Sequence, residues 1–219
     1  FSLKAVEQMA LIYTNAGILV FPLVTALLGT EYLIYPCAYA VVQLILLWTH
    51  GSCLLCGRGE IHIRSIVCNI NILAICFGAA LFLLHISLPP LIDQTMGSVG
   101  SMIGPVGMLI TGMAIADCDL KEIFGKLRAY LPVSLRLVVY PVVLAGVLAL
   151  LGAASFVDDG KNILMTIFLA SITPTAAIVT SMASLYDKDP VYSAELCVLS
   201  TILSILTMPA LLFVFDKLI

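Results

Sequence analysis

The stretch LASITPTAAIVTSMASLYDKDP, running from Leu169 to Pro190, is apolar enough to enter a bilayer yet carries Pro174 near its middle. A proline inside a helix removes one backbone hydrogen bond and costs about 3 kcal/mol in water. Lipid offers the freed carbonyl no replacement partner, so the break is dearer there. The stretch VEQMALIYTNAGILVFPLVTALLG, Val6 to Gly29, is interrupted in the same way, by Asn15, Gly17 and Pro22. Gly17 and Pro174 lie 157 positions apart; Gly51 and Pro209, in the spans that follow, lie 158 apart. A broken helix followed by a long, polar-striped helix therefore occurs twice at nearly constant offset. One break alone reads as a plain kink, which membrane helices tolerate. Two in register point to an inverted repeat, with discontinuous helices meeting at mid-membrane around a binding site.

Composition sets the frame for this reading. Of 219 residues, 62% are apolar and 11% charged, with a mean hydropathy of +1.15. Soluble domains carry about 45–50% apolar and about 25% charged residues. The chain reads as an all-α integral membrane protein, and a net charge of −3 gives no reason to expect a nucleic-acid partner. Seven spans of about 20 apolar residues fall near Val6–Leu28, Tyr32–Leu55, Ser65–Ser87, Leu91–Ala116, Arg128–Gly152, Asn162–Tyr186 and Val191–Phe215. Alternating spans put Lys4, Arg58, Arg64, Lys121, Lys126, Arg128 and Lys188 on one side. Lys161, Lys217, Glu31, Asp93, Asp158 and Asp159 fall on the other. The positive-inside rule makes the first side cytoplasmic. Loops 51–64 and 117–127 are then cytoplasmic and the C-terminus lies outside. Arg136, two turns into its span, is expected to snorkel toward the cytoplasm.

Five spans separate the starts of the two broken pairs, and an odd number of crossings inverts the second copy. If the first broken helix is the fourth of a five-helix repeat, three helices precede Phe1. The expectation is then a ten-helix, 5+5 inverted-repeat fold of which residues 1–219 are a fragment holding seven helices. No methionine or signal peptide opens the chain.

Asn15 is the leading polar candidate, as a substrate contact, as the cap of the half-helix behind the break, or as both. Thr173 and Thr175 flank the proline and either bind substrate or replace lost backbone bonds. Ser200, Ser204 and Thr207 share one helix face, as do Gly97, Gly100 and Gly104; such stripes point to close packing. Thr111 and Gly112 are weaker candidates. Proton relays use intramembrane Asp, Glu or His, and no span carries an acidic residue at mid-depth. Glu195 comes nearest, while Glu7 and Asp117 sit near cytoplasmic ends. Coupling to H+ or Na+ would run through Glu195, through helices outside this chain, or through a cation held by backbone carbonyls. His50, His62 and His85 lie near loops without evident partners. The lone Cys53–Cys56 pair lacks the companions of a metal site, so no metal or other cofactor is expected. An intramembrane enzyme would need paired buried aspartates or H-E-x-x-H, and neither occurs. A channel or a sensor remains the rival class, since broken helices also line pores.

The segments TNAGILVFPLVTALLGTEYL (14–33), GPVGMLITGMAIADCDL (104–120), RLVVYPVV (136–143), SITPTAAIVTSMASLYDKD (171–189) and STILSILTMPALL (200–212) together resemble the auxin efflux carrier family, in its bacterial form. The resemblance implies a secondary transporter with a fold like that of the sodium–bile acid symporters and an elevator-type movement. The scaffold part would be 65–116, and the transport part 6–55 with 128–215. Substrate contacts would come from Asn15, Gly17 and Pro22 on one crossing helix and Thr173, Pro174 and Thr175 on the other. It further implies a small organic anion as substrate, a cell-membrane location and a homodimer joined through the scaffold. One departure is CNINIL, where Ile70 follows Asn69 and the family often has Asn-Pro. The short loop 51–64 fits a plant hormone carrier poorly.

Overall fold

The computed structural model describes residues 3–56, 70–102, 105, 106, 109, 113, 116 and 124–219. The expected packing or site residues Gly104, Thr111 and Gly112 lie outside the described residues, as do Arg58, His62, Arg64, Asp117 and Lys121. Among the described residues every named element is helical. In chain order they are α1 (Ala5–Ile12), α2 (Phe21–Leu27), α3 (Ile34–Leu46), α4 (Ser52–Cys56), α5 (Ile70–Leu83) and α6 (Pro90–Ser101). Then come α7 (Leu127–Ser134), α8 (Tyr140–Leu150), α9 (Gly160–Ile172), α10 (Ala177–Leu185) and α11 (Pro190–Leu218).

Several of these join into longer rods. Among the described residues three are long and apolar enough to cross a membrane: Thr30–Cys56, Leu127–Leu150 and Pro190–Leu218. The two interrupted stretches are divided instead. The first runs as α1, an unwound Tyr13–Asn15, a π-helical turn at Ala16–Val20 and α2. The second runs as α9, an unwound Thr173–Ala176 and α10. The remaining expected spans, Ser65–Ser87 and Leu91–Ala116, are described only in part, as α5 and α6.

Local chemistry accounts for the joints. π-helical turns at Ala16–Val20 and Leu135–Val139 each end two residues before a proline, Pro22 and Pro141. A wider turn accommodates a ring that would clash with the carbonyl four residues back. The turn between α10 and α11 uses Asp187 and Asp189 at positive φ, which aspartate tolerates better than most residues. Pro190 then opens α11 at a position where no amide donor is needed.

The packing is reciprocal. α1 lies against α10 and α11, while α9 lies against the π-turn at 16–20 and α3. Each first half-helix thus packs on the partner's second half and on the long helix that follows it. Two apolar clusters result. One gathers Met9, Tyr13, Leu47, Leu137, Val179, Met182, Leu196 and Leu199. The other gathers Val20, Val24, Phe168, Leu169, Ile172, Leu211 and Phe215. The unwound segments lie between them.

Charged contacts collect at two ends. Lys4 meets Asp189 at 3.3 Å, Arg128 meets Glu7 at 2.7 Å, and Lys126 meets Glu195 at 2.8 Å. At the other end Tyr32 donates to Asp159, and Lys161 reaches Asp216 at 3.0 Å.

Candidate functional site

The breaks sit where the proline and polar residues place them, and they face each other. Pro174 disfavours helical geometry in the residue before it, and Thr173 is extended, at φ −63° and ψ 154°. Tyr13 is likewise extended, at φ −93° and ψ 121°. The two segments then pair as a single antiparallel bridge between Thr14 and Thr175. The Asn15 amide donates to the Pro174 carbonyl at 2.9 Å, and the Ala176 amide donates to the Tyr13 carbonyl at 3.1 Å. Pro174 lacks a donor but needs none here, because only its carbonyl is used.

A two-residue bridge leaves outward-pointing groups that lipid cannot satisfy. Each is caught by the long helix following its own broken helix. Gln43 on α3 donates from Nε2 to the Thr14 carbonyl at 2.6 Å, and its Oε1 accepts from the Thr14 hydroxyl at 2.7 Å. Ser200 on α11 accepts from the Thr175 amide at 3.2 Å, and the Cys197 thiol lies 3.6 Å from the Thr175 carbonyl. Gln43 and Ser200 are 157 positions apart, the offset of the two breaks.

Arg136 corrects one expectation outright. It does not snorkel; its residue is 2% exposed. The guanidinium donates to the carbonyls of Leu11 at 3.0 Å, Ser171 at 2.8 Å and Thr173 at 2.9 Å and 3.2 Å. Its carbon also lies 5.7 Å from the centre of the Tyr140 ring. The carbonyls that unwinding frees draw the charge inward, and they outweigh the pull toward water. Burial of a cation without such partners would be prohibitive.

The six residues expected at the substrate divide into two sets. The Asn15 side chain is half-buried and makes no hydrogen bond among the described residues; it does not cap the turn behind it. Gly17 and Pro22 are exposed, and a β-carbon added at Gly17 would meet nothing within 4 Å. Thr173, Pro174 and Thr175 are buried. Their hydroxyls are spent on the backbone: Thr173 donates to Ala170 at 3.1 Å and Thr175 to Ala10 at 3.0 Å. The break in the first crossing helix is thus partly open, and the break in the second is buried.

The remaining polar residues are placed as follows. The Ser200 and Ser204 hydroxyls bond within α11 and are buried against the crossing, in keeping with the packing expected of that stripe. A β-carbon added at Gly97 or Gly100 would meet nothing within 4 Å among the described residues. Glu195 is buried beside Lys126, one turn and a half before Ser200. Glu7 is fully buried and accepts from Arg128, the Lys4 amide and the Tyr192 hydroxyl. His50 has a partner after all: its Nδ1 lies 3.0 Å from the Tyr13 hydroxyl, which also donates to the Leu46 carbonyl. Gln43 and Arg136 are the site residues missed in the sequence. The signals that would have found them are a lone amide in an apolar helix and a cation too deep to reach water.

Among the described residues, then, the chain is helical and apolar, and its interrupted helices cross at paired main-chain groups. A family model described as a membrane transport protein matches residues 59–212. The chain belongs to that family, the auxin efflux carriers. The match takes in α9, α10 and most of α11, while α1 to α4 precede it. No curated protein and no solved structure matches the chain.

Proposed function

We propose that this chain is the substrate-binding portion of a secondary carrier that moves a small organic anion, a mono- or dicarboxylate, across the cell membrane by alternating access. The observation that carries the reading is the crossing itself. Two interrupted helices meet main chain to main chain, and the half-buried side-chain carboxamide of Asn15, with no hydrogen bond among the described residues, lies beside the bridge. Half-helix N-termini begin at Ala16 and Ala177, and such ends favour anions.

The reciprocal packing supports two inverted five-helix repeats, with seven spans in this chain. The transport part is 6–55 with 128–215, and the scaffold is 65–116. The exposed apolar faces of α5 and α6, including Phe77, Phe82 and Leu91, suit lipid or a second copy joined through the scaffold. The elevator movement would carry the crossing past that scaffold. The segregation of Lys4, Lys126 and Arg128 to one end supports a cytoplasmic placement of that end.

Counterflow of labelled carboxylates in vesicles tests the carrier. Exchange stimulated by substrate on the far side is expected, and passive flux without stimulation would make the protein a channel. Asn15→Ala is expected to weaken carboxylate binding about tenfold, the value of one hydrogen bond to a charged group, with the melting temperature unchanged. Equal affinity in calorimetry would remove Asn15 from the site. Gly17, Pro22, Thr173, Pro174 and Thr175 shape the pocket in this reading rather than supply its charge-bearing contacts. Glu195 is the candidate for H+ coupling. Glu195→Gln is expected to keep binding but lose acceleration of uptake by a pH gradient; binding lost together with coupling would contradict the assignment.

A further inference from the structure

The carbonyls that Arg136 engages share one electrostatic character. Leu11 lies in the last turn of α1, and Ser171 and Thr173 close α9. C-terminal carbonyls lack intrahelical donors and carry the negative end of the helix dipole. In carriers built on interrupted helices, such groups are where a coupling Na+ is coordinated. Here four hydrogen bonds from one side chain already fill them.

We propose that Arg136 is a built-in cation that takes the place of a dissociable metal ion at the crossing, so that the site is assembled without Na+. Three further observations carry the idea. The guanidinium bridges the two broken helices, bonding Leu11 from one and Ser171 and Thr173 from the other, as a bound ion would. It has no carboxylate partner among the described residues, so among them its charge is met by main-chain dipoles, with the Tyr140 ring and Tyr39 beside it. Its backbone lies in the π-helical turn Leu135–Val139, a local widening of the kind that recurs at functional sites. The consequence is a fixed positive charge one residue from Pro174, whose carbonyl holds Asn15. An anion arriving at Asn15 meets a cation that never leaves with it.

Thermal unfolding of the full-length protein in lipid nanodiscs tests this. Wild-type melting temperatures in NaCl, KCl and choline chloride at equal ionic strength are expected to agree within about 2 °C, because a protein with no ion site gains nothing by mass action. Arg136→Ala is expected to melt about 10 °C lower, with several buried carbonyls orphaned. Millimolar guanidinium, or Na+ in preference to K+, is expected to restore part of that loss by entering the vacated carbonyl cage. Na+-specific stabilisation of the wild type would overturn the proposal. So would an Arg136→Ala loss that neither cation recovers, which is what a merely structural arginine would give. If the alanine variant yields no folded protein, Arg136→Lys carries the test. It keeps the charge and loses the fork, and should melt lower while staying indifferent to Na+; a Na+ response there would overturn the proposal. The functional meaning rests on the carrier reading, yet no substrate enters the measurement. A protein indifferent to Na+ that binds no carboxylate would sink the carrier reading alone.

Discussion

Gln43→Leu is expected to abolish carboxylate counterflow and to destabilise the protein by about 2 kcal/mol. The variant is nearly isosteric, so packing is not the issue. What it removes is the only described partner of the Thr14 carbonyl and one partner of the Thr14 hydroxyl, which also faces Tyr39. Thr14 is 1% exposed, so water cannot replace Gln43. A buried polar group left unpaired costs about 1–3 kcal/mol, and the Thr14 carbonyl is stranded here. The Thr14–Thr175 bridge would then lose its lateral support, and with it the fixed position of Asn15. Unfolding in SDS followed by circular dichroism reads the stability, and vesicle counterflow reads the function. A leucine variant with wild-type values in both would show that the crossing does not depend on α3.

Phe168→Ala is the second large effect, expected at about 4 kcal/mol. Phe168 is fully buried on α9 and stacks on Phe215 of α11, with ring centres 4.1 Å apart and planes 13° apart. It anchors the apolar cluster that Val20 and Val24 share. Helices in lipid are held by such contacts rather than by escape from water, so the cavity is not offset by solvent entropy. Because Phe168 lies one turn from the break, carboxylate affinity is expected to fall as well, by less than it does on losing Asn15. A stability loss under about 1 kcal/mol would mean that the stack contributes no packing.

The positions of the breaks were legible because proline, glycine and asparagine act locally. Pro174 restricts Thr173 whatever surrounds it. Asn15 and Gly17 mark a low-cost place to unwind. The pairing of the two breaks was legible only as an offset; the contact of Thr14 with Thr175 is a long-range fact that no local rule contains. Gln43 escaped notice because a single amide in an apolar helix has many uses, and its use here depends on which way α3 turns. Arg136 was misread for a related reason. Sequence gives depth along a helix but not what waits on the facing side, and three freed carbonyls wait there. His50 seemed solitary because its partner, Tyr13, sits in the other helix. The π-helical turns before Pro22 and Pro141 went unread, since the proline is visible but the manner of accommodating it is not.

The bridge between Thr14 and Thr175 has a consequence for biosynthesis. The first interrupted helix leaves the ribosome long before its partner exists, so the carbonyls of Leu11 and Tyr13 have no donor when that segment reaches the translocon. Release into lipid at that moment would strand them. The segment must therefore wait in a hydrated setting, beside the channel or a chaperone, until Arg136 and Ala176 have been translated. Nascent chains stopped before Thr173 should accumulate as substrates of membrane quality control, however hydrophobic they are.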